Sequence, residues 1–329
     1  MNDIKLLGED DFYDVMKGTV QPWIKSTVKS GYFESYDFTE IHYYYAIPEN
    51  PRGIIVMVHG FCEFFGKYHE MAWYFYQLGY AFFFPELRGH GKSGGKLPEK
   101  DLVFVKHYEQ YVIDVALLLE KVVDKVADRK LKRVLFAHSM GGAVAALFLE
   151  EYPNKFDGAI LSSPMLMMNT GGMSNFVINL IHLYVIIFHR WTKLSVGQKH
   201  FDGVNIFDHS SCQSRVRYDY MFDMRCKDSD YQTYGGTYAW VLASLAADKL
   251  ILQDAKKASP TPIFIFEAGK DHLVDKRGYE IFTSRDKNVR TYCFETSKHE
   301  IFNATEDVRK EYYRMVFELL DEYMGDSNE

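Results

Sequence analysis

Short, uninterrupted apolar runs alternate along this chain with longer stretches in which apolar residues recur every three or four positions. Ile54-Ile55-Val56-Met57-Val58 is such a run, rich in β-branched residues, and predicts a strand buried on both faces of a parallel sheet. Comparable runs lie at Tyr80 to Phe84, Arg133 to Ala137, Ala159 to Leu161, Pro262 to Phe266 and Val289 to Phe294. Between them, Lys67 to Leu78 reads as a helix closed by Gly79. From Phe104, apolar residues at Tyr108, Tyr111, Val115, Leu119, Val122 and Val126 predict a long amphipathic crossover helix. Further helices are expected over Ala143 to Glu151, Lys276 to Ser284 and Asn303 to Tyr323. Ahead of all this, Gly31 to Ile47 alternates around aromatic residues and predicts two antiparallel edge strands joined near Asp37 to Glu40.

Strand and helix in strict alternation imply an α/β fold with a mostly parallel central sheet, right-handed crossovers and helices on both faces. The rhythm breaks after Pro164 and resumes at Pro262. Residues 165–258 therefore read as a helical cap insertion over the carboxyl ends of the strands, where open parallel sheets bind ligands. The core is then 31–164 and 259–329, preceded by an irregular or helical N-terminal extension over 1–30. Inside the insert, Phe176 to Phe188 is apolar except for Asn179 and His182. It reads either as a core helix of the cap or as an acyl-binding, membrane-touching surface.

One strand ends where chemistry is expected. Val134-Leu135-Phe136-Ala137-His138-Ser139-Met140-Gly141-Gly142-Ala143 is strand, sharp turn and helix, with Ser139 at the turn between the small residues Ala137 and Gly141. The usual nucleophile turn is G-x-S-x-G, and this chain carries A-x-S-x-G. A serine hydroxyl is a weak nucleophile at neutral pH, so it needs a histidine base and a carboxylate to orient that base. Asp271 follows the strand ending at Phe266, and His299 follows the strand ending near Phe294, giving the chain order Ser, Asp, His. Asp275 and Glu267 are the alternative acids. His272 reads as a loop residue, and His138 is expected to point away from its neighbour Ser139. The oxyanion donors expected from the same geometry are the backbone N–H groups of Met140, at the start of a helix, and of Phe61, after His59-Gly60. The glycine-rich Arg88 to Gly95 lacks both dinucleotide and P-loop spacing, so it is not read as a phosphate loop.

Composition narrows the classes. With 329 residues the chain can bury one large core plus an inserted subdomain. A net charge of -7 leaves no basic excess to neutralise phosphates, which argues against nucleic acid as a partner. Aromatic residues make up 16% of the chain, which suits either an apolar pocket or simply an aromatic core. Cys62, Cys212, Cys226 and Cys293 are scattered, without metal or disulfide spacing, so a reducing cytoplasm is expected. The N-terminus shows no basic region leading into an apolar segment, so no secretory signal is expected, and no apolar run is long enough to span a membrane.

Taken together, HGFCEFFGKYHEMAWYF, ELRGHGKSGG, FAHSMGGAVAALFLEEYP, ILSSPM, FEAGKDHLVD and SKHEIFNATEDVRKEYY resemble the α/β-hydrolase superfamily. They are most similar to its lysophospholipase and monoacylglycerol lipase branch, the serine aminopeptidase S33-like hydrolases. The likeness covers about Ile54 to Tyr323, and the cap segments FDHSSCQSRVRYDY and YGGTYAWVLASL are closest to bacterial lysophospholipases. The resemblance implies Ser139 as nucleophile, Asp271 as acid, His299 as base and Phe61 and Met140 as oxyanion donors, with no metal or organic cofactor. It further implies a serine hydrolase of lipid carboxylic esters working through an acyl-enzyme, with a peripheral membrane contact through the cap. A general carboxylesterase, a proline iminopeptidase-like enzyme and a non-catalytic binding protein are the alternatives.

Overall fold

A computed structural model of the protein describes residues 4–324. Helix α1 runs from Phe12–Val15 through a π-helical turn, Met16–Val20, into Gln21–Thr27. It leads into β1 (Lys29–Glu34) and β2 (Glu40–Ala46), which pair antiparallel as the alternation predicts. There follow β3 (Gly53–Val58), helix α2 (His69–Gln77), β4 (Tyr80–Pro85), the short β5 (Leu102–Val103) and helix α3. Helix α3 begins as Glu109–Leu118 and continues through a π-helical turn, Leu119–Val123, to Asp124–Val126. Strand β6 (Arg133–His138), helix α4 (Met140–Glu151) and β7 (Gly158–Ser162) complete the first half. Residues 165–258 carry α5 (Asn175–Ile187), α6 (Arg215–Lys227), the short β8 (Gly235–Gly236) and α7 (Tyr238–Asp254). The chain closes with β9 (Ile263–Ala268), α8 (Arg277–Arg285), β10 (Val289–Phe294) and α9 (Glu306–Met324).

Eight strands form one sheet in the order β1-β2-β4-β3-β6-β7-β9-β10. From β4 to β10 every neighbour is parallel, and β2 joins β4 antiparallel. Successive residues of a strand face opposite sides, so each run fills two cores. Ile54, Val56 and Val58 pack with α3, α4 and α7, whereas Ile55 and Met57 pack with α1, α2 and α9. The N-terminal extension is part of the second core through Leu7, Phe12, Met16 and Val20, all buried. Three insert or crossover helices begin on hydroxyl caps, as Ser174, Ser214 and Thr237 accept from the N–H groups of Val177, Arg217 and Trp240.

Two expectations change. The crossover helix starts at Glu109, and Phe104 lies outside it, because Leu102 and Val103 are held extended by pairing with Gly235 and Gly236. The Val103 carbonyl accepts from both the backbone and the hydroxyl of Thr237. A contact between segments so far apart leaves no local mark. The reading of Phe176 to Phe188 as a core helix also fails. Of α5 only Val185 is buried, while Phe176 is 71% exposed and Leu180, Leu183 and Ile187 are each at least half exposed.

Candidate active site

Strand β6 and helix α4 meet at Ser139, whose backbone sits at φ 53° and ψ -120°, a conformation that L-residues rarely adopt. Neighbouring backbone holds it there. Ser139 N–H donates to the Ser162 carbonyl at 3.1 Å, and Met165 N–H and Gly142 N–H each donate to the Ser139 carbonyl at 2.8 Å. Gly141 has to be small because a Cβ there would stand 2.3 Å from the Val58 carbonyl oxygen. The crowding therefore comes from the end of β3 rather than from across the turn. A serine at a helix N-terminus ordinarily caps it, yet the Ser139 side chain makes no cap bond.

Its hydroxyl points to His299 instead. Ser139 Oγ lies 2.7 Å from His299 Nε2, and His299 Nδ1 lies 2.6 Å from Asp271 Oδ2. With Nδ1–H donating to the carboxylate, Nε2 is left to accept the serine proton. Asp271 Oδ1 also accepts from the N–H groups of Leu273 and Val274, at 2.8 and 3.2 Å. Burial pushes the Asp271 carboxyl up, but His299 and these backbone donors outweigh it and hold the group ionised below its ordinary range. The loops bearing Asp271 and His299 are stitched together. Gly269 N–H donates to the Phe294 carbonyl and Lys270 N–H to the Ser297 carbonyl, each at 2.9 Å, and a Cβ at Gly269 would meet the Glu295 backbone at 2.5 Å.

The rival acids do not pair with His299. Asp275 binds Arg277, and Glu267 has no contact with His299, its carboxyl being pushed up by burial and by Glu280. His272 is exposed on its loop as expected. His138 does turn from the serine hydroxyl, but it stays at the site: its Nδ1 lies 3.0 Å from the Ser162 carbonyl and its ring 4.9 Å from that of His299. Burial pushes the His138 imidazole down to about 4, so it sits neutral beside His299.

Across from the serine, Gly60 comes so near that a Cβ on it would be 3.1 Å from Ser139 Cβ. The following loop is shaped by a buried ionic cluster. Glu63 accepts from Gly60 N–H at 2.6 Å and from Tyr68 Oη at 2.5 Å, and Lys67 bridges Glu63 and Glu300 at 2.5 and 2.7 Å. Burial alone would raise the Glu63 and Glu300 carboxyls and lower the Lys67 ammonium, but their mutual attraction reverses all three shifts and keeps each group charged. Cys62 adopts φ 58°, and Arg225 from α6 donates to its carbonyl. Among the described residues, neither Phe61 N–H nor Met140 N–H donates to a protein acceptor. Both N–H groups that the sequence names as oxyanion donors are thus left without a protein acceptor.

These positions fall within a match to a family profile described as serine aminopeptidase, S33, which spans residues 49–306. The chain belongs to this family. Lysophospholipase L2 of Escherichia coli (strain K12) is 29% identical over 239 residues, which cover 70% of this chain and 66% of that protein. The match therefore spans just under two thirds of that relative's length. A monoacylglycerol lipase of Mycolicibacterium smegmatis is 23% identical over 261 residues, covering 78% of this chain and 84% of that one. Among solved structures, a soluble variant of monoglyceride lipase from Saccharomyces cerevisiae, in complex with a substrate analog, superposes with a TM-score of 0.71. It is 18% identical and the superposition covers 91% of this chain and 95% of that one, so the likeness is one of fold, the α/β-hydrolase fold.

In this S33 family member a cavity of about 250 Å³ opens over Ser139. Phe61, Val204, Ile206, Phe222 and Leu273 give it an apolar wall, mostly from the insert. Glu63, Lys67, Glu300 and Arg225 give it a charged one. Sequence reading missed these four and Gly269. The i, i+4 spacing of Glu63 and Lys67 in an otherwise aromatic segment is the one local signal that was available. The glycine-rich Arg88 to Gly95 is structural: Arg88 grips Asp114 through Nε and Nη2, at 2.7 and 2.8 Å, and Asp37 through Nη1 at 2.8 Å.

Proposed function

We propose that the protein is a serine hydrolase of lipid carboxylic esters, with lysophospholipids or monoacylglycerols as the substrate class. The single observation that carries the reading is the hydrogen-bonded line Ser139–His299–Asp271 at the floor of a cavity with an apolar wall. The names of the relatives, lysophospholipase and monoacylglycerol lipase, support the substrate class. His299 Nε2 takes the Ser139 proton as Oγ attacks the acyl carbonyl carbon. The N–H groups of Phe61 and Met140 hold the developing oxyanion, and the Asp271 carboxylate stabilises the imidazolium. The imidazolium then gives its proton to the leaving alcohol, forming the acyl-enzyme. Water, deprotonated by His299, attacks that ester and releases the fatty acid.

The family description favours one other reading, an aminopeptidase. A free N-terminal ammonium calls for an uncommitted carboxylate in the pocket. Glu63 and Glu300 are both bound to Lys67, and Arg225 adds a further cation, so the wall suits an ester better. The reading also takes residues 165–258 as the cap insertion, with α7 packed on α4 as its attachment to the core. It keeps the protein in the cytoplasm, where Cys62, Cys212, Cys226 and Cys293 stay free thiols, and gives it no nucleic-acid partner. Among the described residues no helix is long and apolar enough to cross a membrane, and the exposed α5 supplies a peripheral contact with one.

The test is labelling and profiling. A fluorophosphonate should label the wild type at Ser139 and leave Ser139→Ala unlabelled. Turnover of p-nitrophenyl esters of increasing chain length, a lysophospholipid, a monoacylglycerol and a proline arylamide should favour the lipids. Fast cleavage of the arylamide alone, or full esterase activity in Ser139→Ala, would overturn the reading.

A further inference from the structure

Arg225 stands on α6 in the wall of the Ser139 cavity and is only 9% exposed. One arm of its guanidinium donates to the Cys62 carbonyl, and the group lies 5.7 Å from the centre of the Phe64 ring. Its Nε is buried with no hydrogen-bond partner. Among the described residues no carboxylate comes within 4.0 Å of it, and the two in the same wall, Glu63 and Glu300, are committed to Lys67. A guanidinium taken out of water without an anion beside it is costly, because its lost hydration is not replaced. The fold bears that cost in the wall of the Ser139 cavity, with an N–H still unspent.

Guanidinium is the side chain best matched to phosphate, since its planar fork meets two phosphate oxygens at once. We propose that Arg225 binds the head-group phosphate of a lysophospholipid and so selects lysophospholipids over monoacylglycerols at the Ser139 site. This rests on the lipid-ester reading above and adds the head group to it. A lysophospholipid carries its phosphodiester one glycerol away from the acyl ester, whereas a monoacylglycerol ends there in a neutral hydroxyl. The Cys62 carbonyl that Arg225 grips directly follows Phe61, the oxyanion donor of the proposed mechanism, so both anions of the bound substrate would meet one loop. The acyl chain is left to Val204, Ile206, Phe222 and Leu273.

The experiment compares kcat/KM for a lysophosphatidylcholine and for a monoacylglycerol of the same acyl chain in the wild type, Arg225→Met and Arg225→Lys. The ratio of the two should fall roughly 30- to 100-fold in Arg225→Met, the size of a lost charge-assisted hydrogen bond. Arg225→Lys, which keeps the charge and loses the fork, should recover part of it. As a binding readout, sn-glycero-3-phosphocholine should competitively inhibit hydrolysis of a soluble p-nitrophenyl ester by the wild type and not by Arg225→Met, while inorganic phosphate inhibits far less. A parallel fall on both lipids would overturn the proposal and reduce Arg225 to a prop for the Cys62 carbonyl. Inhibition by inorganic phosphate as strong as by the diester would overturn it too, as a site for free anions. A wild type that hydrolyses p-nitrophenyl esters and neither lipid fails the lipid-ester reading itself, which is a different result from a lipid ratio that Arg225→Met leaves unchanged.

Discussion

Ser139 carries a strain that a stability measurement reads separately from its chemistry. At φ 53° and ψ -120° a non-glycine residue costs about 1–3 kcal/mol, whereas glycine enters that region freely. Glycine also loosens the unfolded chain, which takes back roughly 0.4–1 kcal/mol. The first term is the larger, so Ser139→Gly should unfold at higher denaturant than Ser139→Ala, by about 1 kcal/mol. On the proposed mechanism both variants should lose turnover by roughly 10⁴-fold or more, since each lacks the hydroxyl that would attack. Equal stability of the two in urea would show that the strain at the turn is no larger than the roughly 0.4–1 kcal/mol that glycine takes back. At this scale the sequence was readable wherever a residue's place follows from its own strand end, as for Ser139, Asp271 and His299, which the fold brings into one hydrogen-bonded line. It was silent where a role arises only when distant loops meet. Gly269 must be small because Glu295 backbone lies against it, and Lys67 becomes a bridge only when Glu300 arrives beside it. Arg225 has the same character, being one of many helix-borne arginines until the fold sets it against Cys62.

Elements were legible to within a few residues where the apolar period was local, and α3 was misplaced at its start where β8 intervened. One element holds a titratable tether. Asp248 on α7 accepts from Met168 N–H at 2.8 Å, just beyond the turn that follows β7, and its other oxygen is buried without a partner. Burial pushes this carboxyl up to about 7 from an ordinary value of 3.8. The folded protein therefore holds a proton that the unfolded chain releases. Its contribution to stability is complete below about pH 4 and is lost as pH rises through about 7. Asp248→Asn keeps an acceptor for Met168 N–H and carries no charge at any pH. Relative to the wild type it should gain stability between pH 5 and pH 8, on the order of 1 kcal/mol or more. Urea unfolding of both proteins at the two pH values checks this. Glu150, pushed up to about 9 by burial, adds a slope of the same sign to both proteins, so only their difference reports Asp248. A difference that does not change with pH would show that Asp248 is ionised in the folded state throughout.

For the whole molecule, the proposed lipid-ester substrate raises the question of how an acidic protein would meet a bilayer. A net charge of -7 repels an anionic bilayer, so long-range attraction is not the means. The means we propose is the apolar surface of α5. Phe176, Leu180, Leu183, Ile186 and Ile187 stand between 47% and 71% exposed on one short helix of the insert whose other residues wall the cavity over Ser139. An apolar group of this size on a soluble surface marks a place of contact, and His189 and Arg190, both exposed, follow it at its C-terminal end. Burying a large apolar side chain contributes roughly 1.5–3 kcal/mol when complete, so three half-exposed ones account for a few kcal/mol of binding. Replacing Leu180, Leu183 and Ile187 together by serine should therefore weaken co-sedimentation with phosphatidylcholine vesicles by at least about tenfold. The same change should leave the unfolding midpoint nearly where it was, because exposed positions away from the core shift stability by only about 0.5 kcal/mol each. Binding carried by apolar contact also has a signature in salt. It should persist at high ionic strength on neutral vesicles, whereas binding carried by Arg190 and its neighbours would need anionic lipid and would fade as salt screens it. Vesicle binding that appears only with anionic lipid, or that survives the triple substitution, would remove α5 as the docking element.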